Sequence, residues 1–291
     1  MDDPTLPPHP PTTPHGEPVP DARAAAVAAA DPHVLATDVL ANLRDVGGRT
    51  TPDGRTVRRG VAFRSAELRA AAVADDPVVA RLGVRTVVDL RTSAERVAAP
   101  DVLPAGATGL HADVLAAAPD APAADLSEIL QRPQEAQRVL AALDPPAAMR
   151  RTYVDLVTSD AGRAGYATLV RRFLDPAAGP VLYHCTAGKD RTGWATTVLL
   201  LATGVEEEQV REEYLAVNPA VRAMYAPFLQ QFADVGGDPD LLVPLLQVRE
   251  EYLDAALGAV AERFGSFGGY LRDGLGLRDD EVATLRDVLL D

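Results

Sequence analysis

The chain has 291 residues, enough for one large domain or two small ones, and its 47% hydrophobic content is ample for a buried core. A formal net charge of −14 argues against nucleic-acid or anionic-membrane partners, because both require a broad positive surface. The single cysteine, Cys185, excludes a fold held together by internal disulfides.

The first 25 residues are predicted to be a disordered, proline-rich tail, and residues 26–291 the folded domain. The opening segment, "MDDPTLPPHPPTTPHGEPVP", has a composition that does not support a packed core. It also lacks the basic and apolar regions of a secretory signal peptide. We therefore expect a cytoplasmic protein, with leaderless secretion left open. The longest apolar run, "WATTVLLLATGV", is too short to span a bilayer, so no stable membrane insertion is expected.

The first half of the folded region predicts a parallel sheet. A Pro-Asp-Gly turn in "RTTPDGRTVRRG" indicates a hairpin leading into a strand near Val61 to Phe63. A helix-like segment, "DDPVVARLG", ends at Gly83, and "VRTVVDL" follows as a β-branched strand. Strand, helix and strand in this order are typical of a βαβ unit. A further short strand is predicted in "GLHADVL".

The second half is predicted to be mainly helical. Helical spacing extends from about Ser127 to Leu174, with a break at "LDPPAAM", before "GPVLYHC" supplies a buried strand. From Gly193 onward the helical pattern is interrupted only at "VNP", "DVGGDPD" and "FGSFGG". The predicted fold class is therefore α/β, with a central, mainly parallel sheet flanked by helices and a helical C-terminal part.

One C-terminal segment has two interpretations. The breaks "VNP" and "DVGGDPD" isolate "AVRAMYAPFLQQF", in which Met224, Tyr225, Phe228, Leu229 and Phe232 lie at the spacing of one apolar helix face. We expect either a mobile lid within residues 217–257 or ordinary core packing of this face.

The chain's only cysteine, lysine and tryptophan all lie in "PVLYHCTAGKDRTGW". We predict a strand, a turn and then a helix that opens near Arg191 and ends at Gly204. Ligands of open α/β sheets bind at the carboxyl ends of strands, and helix N-termini present free amides to anions. This segment is accordingly the candidate active site.

The spacing between Cys185 and Arg191 suits a loop that bends around a phosphate. Backbone amides of such a loop form a nest of donors that also stabilises a thiolate, so Cys185 is the candidate nucleophile. Arg191 can donate two parallel hydrogen bonds to phosphoryl oxygens. A Walker-type phosphate loop is excluded, because Tyr183 occupies its first glycine position and Asp190 follows the lysine. The candidate substrate-binding residues are Thr186, Ala187, Gly188, Lys189, Thr192 and Gly193.

The segment "HCTAGKDRTG" resembles the active-site signature of cysteine-dependent protein tyrosine and dual-specificity phosphatases of bacteria. The resemblance extends to "NLRDVGG", "FRSAEL", "TVVDLRTSAE" and "GSFGGYLRDGLGL", and covers residues 42–291. It implies a compact α/β phosphatase fold, often with a helical lid, that needs no cofactor. It also implies that Cys185 is the nucleophile, Arg191 holds the phosphate and Asp190 is the proton donor. The implied substrates are phosphorylated proteins, phosphotyrosine first, or phosphoinositides.

Five residues around the loop each keep more than one interpretation. His184 either favours the thiolate or packs within its strand. Asp89 acts as a second acid, orients Arg91 or caps a turn. Arg64 lines the pocket, by the resemblance, or makes a structural ion pair. Lys189 either meets a further phosphate or pairs with a neighbouring carboxylate, and Asp190 either protonates the leaving group or caps the helix.

Two classes of function remain open on these residues. The first is a phosphatase that works through a phosphocysteine intermediate, and the alternative is a non-catalytic phosphate-recognition module, a pseudophosphatase. The other histidines, His9, His15, His33 and His111, are scattered, so no metal cluster is indicated. The oligomeric state stays open.

Overall fold

The computed structural model describes residues 31–116, 133–142 and 144–291. The predicted tail at residues 1–25 lies outside the described residues, as does the predicted start of the helical stretch at Ser127. The strands are β1 (Arg44–Asp45), β2 (Ala62–Ser65), β3 (Thr86–Asp89), β4 (Thr108–His111) and β5 (Val181–His184).

The five strands form one sheet in the order β1-β2-β5-β3-β4. Only β1 runs antiparallel to its neighbour, and the other three pairs are parallel. Helices flank this sheet, which confirms the predicted α/β class. The helices are α1 (Pro77–Arg81), α2 (Ser93–Ala98), α3 (Pro133–Ala142), α4 (Pro145–Thr158), α5 (Asp160–Leu174), α6 (Asp190–Thr203), α7 (Glu207–Leu215), α8 (Asn218–Asp234), α9 (Val243–Leu246), α10 (Glu250–Phe264), α11 (Phe267–Gly269) and α12 (Asp279–Leu289).

Side-chain alternation places β5 between two hydrophobic cores. Val87 and Leu182 pack into the smaller core, whereas their neighbours Val88 and Tyr183 pack into the larger one. Successive strand residues point to opposite faces, so both faces of β3 and β5 are covered. The carboxyl end of β5 therefore lies in the middle of the sheet, where the chain continues into Cys185.

The predicted hairpin and helix ends are present, with small shifts. An antiparallel bridge joins Thr50 and Thr56 around the Pro-Asp-Gly turn, and the following strand runs from Ala62 to Ser65 rather than from Val61 to Phe63. The βαβ unit differs in one respect, because β5 lies between β2 and β3 and pairs with both.

The isolated C-terminal segment forms helix α8. Phe232 is fully buried, while Met224, Tyr225, Phe228 and Leu229 are only partly buried. None of the helices in the described part of the chain combines the length and apolar character that crossing a bilayer requires.

Candidate active site

The loop between β5 and α6 carries the predicted nucleophile into the interior. Cys185 follows the last residue of β5 and is only 2% exposed. Gly188 has a φ of +66°, and a Cβ atom there would lie 2.3 Å from the Ser65 carbonyl oxygen. Only glycine combines that backbone conformation with such a close approach. The loop path therefore depends on this residue.

Helix α6 begins at Asp190 and is buried on nearly every side. It ends at Gly204, whose left-handed conformation closes the last turn. Behind the loop, Trp194 is fully buried and its indole nitrogen donates to the Tyr270 hydroxyl at 3.2 Å. The tryptophan thus anchors the helix to the C-terminal region.

Arg191 is held by a residue that the sequence analysis assigned no role, Glu95. Its two terminal nitrogens donate to the two Glu95 carboxylate oxygens at 2.6 and 2.8 Å. Burial alone would lower the pKa of Arg191, but the hydrogen bonds to Glu95 and the nearby charge of Cys185 raise it. Arg191 Nε is buried and has no hydrogen-bond partner among the described residues.

Local sequence places Glu95 at this position. Glu95 Oε2 accepts from the Thr92 amide at 2.8 Å, and Thr92 Oγ1 accepts from the Glu95 amide at 3.2 Å. This capping box starts α2 directly after β3, whose carboxyl end lies beside that of β5. The spacing "TSAE" was therefore an available sequence signal for a carboxylate at this edge of the sheet.

We expect the Glu95–Arg191 pair to make part of the folding stability pH-dependent. Burial alone would raise the pKa of Glu95, but the hydrogen bonds and charge of Arg191 lower it from 4.5 to about 2. The pair therefore stabilises the fold above pH 4.5, and this contribution is lost as pH falls toward 2. At neutral pH, Glu95→Gln should lower the free energy of unfolding by roughly 3 kcal/mol, because Arg191 is left buried and unpaired.

Urea unfolding of both proteins across this pH range measures the effect. The difference between wild type and Glu95→Gln should shrink as the medium becomes acidic. Glu207→Gln is the matched control, since Glu207 is 55% exposed and pairs with Arg211 on the surface of α7. A difference that stays constant with pH contradicts the prediction.

Asp190 and Lys189 contact each other beside the loop. Lys189 is 4% exposed, and its Nζ pairs with Asp190 Oδ2. The Tyr153 hydroxyl donates to Asp190 Oδ1 at 3.0 Å and receives a hydrogen bond from the Tyr214 hydroxyl. Asp190 makes no cap hydrogen bond, and the N-cap position is occupied by Lys189. The capping interpretation of Asp190 is therefore wrong, because its carboxylate is engaged by side chains from other elements.

His184 lies behind the loop with two aspartates. Its Nε2 lies 3.1 Å from Asp101 Oδ2, and its Nδ1 lies 3.1 Å from the Cys185 carbonyl oxygen. Asp89 accepts three hydrogen bonds from Arg91, two from the guanidinium and one from the backbone amide, each 2.9 Å long. Burial alone would raise the pKa of Asp89, but the Arg91 hydrogen bonds and the charge of His184 lower it. These contacts support the interpretations in which Asp89 orients Arg91 or caps a turn, and the role of second acid stays a prediction.

The group of His184, Asp89 and Asp101 is the arrangement closest to a metal site in the described ranges. Their ligand atoms lie within 4.8 Å of one another. Arg91 already pairs with both carboxylates, so a metal ion would have to displace a buried guanidinium. That the protein needs no metal stays a prediction.

The remaining predicted site residues surround the loop. Arg64 is fully buried, donates to the Gly188 carbonyl oxygen at 2.7 Å and pairs with Glu213, so it contacts the loop backbone. Thr186 donates to Glu95 at 2.5 Å. Ala187 and Gly193 are buried, and the Thr192 hydroxyl is buried with no hydrogen-bond partner in the described part of the chain.

Comparisons with known proteins agree with this geometry. The sequence profile of the tyrosine phosphatase family matches residues 35–291. A candidate tyrosine-protein phosphatase of Cupriavidus necator is 35% identical, with 87% of each chain covered. The triple specificity protein phosphatase PtpB of Mycobacterium tuberculosis is 32% identical over 86% of this chain and 96% of its own. A tyrosine-protein phosphatase of Nostoc commune is 27% identical over 90% and 91%. This protein belongs to the tyrosine phosphatase family and is a phosphoric monoester hydrolase.

Proposed function

We propose that the protein hydrolyses phosphomonoesters, phosphotyrosine preferentially, through a phosphocysteine intermediate at Cys185. One observation carries the proposal: Arg191 Nε is buried and has no partner in the described part of the chain, although Glu95 holds both terminal nitrogens. A buried donor without a partner is costly, so the site favours an anion that completes it. The negative charge of Cys185 helps to raise the pKa of Arg191, so the sulfur lies near the guanidinium. An anion bound by Arg191 would therefore lie near the sulfur.

The proposed reaction has two steps. First, the Cys185 sulfur bonds to phosphorus, the bond from phosphorus to the ester oxygen breaks, and that oxygen takes a proton from a carboxyl group. Then a water oxygen attacks phosphorus, the water gives a proton back to that carboxylate, and the phosphorus–sulfur bond breaks, which releases phosphate and regenerates the thiolate. Each step is easier than direct attack by water on the ester.

Rapid acid quenching with a phosphotyrosine peptide tests this mechanism. Mass spectrometry should find one phosphoryl group on the peptide that contains Cys185. Phosphopeptide binding without any turnover would instead support the alternative function, a phosphate-recognition module.

The contacts of Lys189 favour a substrate with a single phosphate. Its ammonium group is buried against Asp190, so it is not presented to a second phosphate of an inositol headgroup. We therefore propose phosphorylated proteins, phosphotyrosine first, ahead of phosphoinositides. The name of the mycobacterial relative refers to triple specificity, which is a reason to compare kcat/KM for phosphotyrosine, phosphoserine and phosphothreonine peptides and for phosphoinositides.

We further propose Asp190 as the general acid that protonates the leaving oxygen. It is the first residue of α6, next to Arg191, and Tyr153 and Lys189 hold its carboxylate in place.

Asp190→Asn should slow hydrolysis of alkyl phosphates by about 10²-fold or more, and much less that of an aryl phosphate with an acidic phenol. A basic leaving oxygen needs the proton, whereas an acidic phenol leaves without it. Steady-state kinetics on the two substrates, with pH profiles, measures the difference. The alkaline limb of the profile should flatten in the variant. Equal slowing of both substrates with an unchanged profile would assign Asp190 a structural role.

We also propose that α8 is a lid. The nucleophile is only 2% exposed, so substrate cannot reach it in this conformation. Tyr225 of α8 packs against the larger core, to which Cys185 belongs, and burial together with the negative charges of Cys185 and Asp190 raises the pKa of this tyrosine. Movement of α8 away from the loop would open a path to the sulfur.

Hydrogen exchange tests the lid. We expect α8 amides to exchange at least about tenfold faster than those of α6 in the free protein, because a lid opens locally. Vanadate should change the exchange rate of α8 and leave that of α5, the control helix, unchanged. Equal and strong protection of α8 in both states rules the lid out.

We propose that residues 26–291 form one phosphatase domain. The larger core supports this organisation, because it joins residues between Val46 and Leu290, Cys185 among them, in one cluster.

A further inference from the structure

Two carbonyl oxygens of the phosphate loop are held by a side chain far away in the sequence. Asn42 Nδ2 donates to the carbonyl oxygens of Ala187 and Gly188, at 3.2 and 3.0 Å. Arg64 Nη2 adds a third hydrogen bond, to Gly188, at 2.7 Å. We infer that Asn42 is a positioning residue that keeps the loop in its anion-binding form. The inference rests on the proposed function, since that function requires the loop to hold a phosphoryl group.

The neighbouring loop carbonyls are also engaged from outside. The Thr186 oxygen accepts from the Glu67 amide at 3.1 Å, and the Cys185 oxygen lies 3.1 Å from His184 Nδ1. In a trans peptide, the carbonyl and the following amide point in opposite directions. Carbonyls held on the outer side of the loop therefore turn the next amides inward, as an anion nest requires. Asn42 controls two consecutive peptide planes of this nest.

The backbone of Asn42 adopts a strained conformation, which this role explains. Its φ is +54°, and no other non-glycine residue in the described ranges has a positive φ. That region is strained for an ordinary residue, and asparagine tolerates it better than most. Asn42 is also 7% exposed, and its Oδ1 atom is buried with no hydrogen-bond partner within the described ranges. Strain of this kind persists where function requires it.

Asparagine supplies two hydrogen-bond donors, which the other residues that tolerate this φ lack. Glycine fits the backbone but has no donor for the Ala187 and Gly188 oxygens. Aspartate keeps the shape of the side chain but presents an oxygen to two carbonyl oxygens, which repels both. The two N–H bonds of one amide nitrogen match the two acceptors.

The test compares Asn42→Gly and Asn42→Asp with wild type. Calorimetric titration with inorganic phosphate is the first readout, because it reports the state of the nest without turnover. Steady-state kinetics on p-nitrophenyl phosphate is the second readout, and the melting temperature is the third. Thr86→Val is the matched control, since it removes a buried 2.9 Å hydrogen bond to the Ala178 carbonyl oxygen at the opposite end of the sheet.

We expect Asn42→Gly to weaken phosphate binding at least tenfold and to lower kcat/KM by about 10²-fold, the size of effect that small misplacements in active sites produce. Its melting temperature should change no more than that of the control, because glycine relieves the backbone strain. Asn42→Asp should show the larger loss, and it keeps the test available if Asn42→Gly does not fold. Thr86→Val should lower the melting temperature without changing phosphate binding.

Wild-type phosphate affinity and kcat in both Asn42 variants would overturn the inference. The proposed function fails separately, if wild type binds phosphate but turns over no phosphomonoester. In that case the calorimetric comparison still decides whether Asn42 shapes the nest.

Discussion

Replacing Cys185 by serine is expected to remove turnover while the protein stays folded and still binds phosphate. The hydroxyl that replaces the thiol is not ionised near neutral pH, so the attacking group is lost and no phosphocysteine can form. Loss of a nucleophile costs on the order of 10⁴-fold or more in kcat. Binding should persist, because the loop amides and Arg191 are unchanged and the two side chains differ by one atom.

Three measurements on Cys185→Ser check this expectation. These are p-nitrophenyl phosphate hydrolysis, calorimetric titration with phosphate, and the melting temperature. Cys185→Ala distinguishes a residual hydroxyl attack from contamination by wild type, because it has no nucleophile. Hydrolysis by Cys185→Ser within about tenfold of wild type would contradict the role of Cys185 as the nucleophile.

Replacing Arg191 by lysine is expected to lower kcat/KM by about 10³-fold, although the positive charge is kept. Lysine cannot bind Glu95 with two parallel hydrogen bonds and at the same time present a third donor to phosphate. Arg191 is able to do both, because its terminal nitrogens hold Glu95 while Nε has no hydrogen-bond partner among the described residues. The substitution should weaken both phosphate binding and the chemical step, so phosphate affinity and kcat should both fall.

A double-mutant cycle with Glu95→Gln separates the two functions of the guanidinium. If Glu95 acts by orienting Arg191, its substitution should cost much less in the Arg191→Lys background than in wild type. Arg58→Lys is the matched control, since this exposed arginine pairs with Asp291 at the surface, and its kinetics should equal those of wild type. Additive losses in the cycle would show that Glu95 and Arg191 act independently.

Local sequence signals predict both the structure and the chemistry of one stretch of the chain. The residues from Val181 to Gly204 alone predict a strand, a turn and a helix. The apolar run, the glycine in the turn and the glycine at the helix end are all local signals. The spacing from Cys185 to Arg191 predicts the phosphate loop for the same reason. The parallel sheet followed from the order of the elements, and it was confirmed apart from the position of β5.

The side chains that hold that loop come from distant parts of the chain, and local signals do not identify them. Glu95 lies 96 residues from Arg191, and Asn42 lies 145 residues from Ala187. The contact of Asp89 with Arg91 is likewise visible only in the fold. These partners meet because the carboxyl ends of β2, β3 and β5 and the start of the antiparallel β1 share one edge of the sheet. Local propensity predicts that each segment forms. The pairing order of the parallel strands selects which polar side chains converge, and the packing of both cores sets that order.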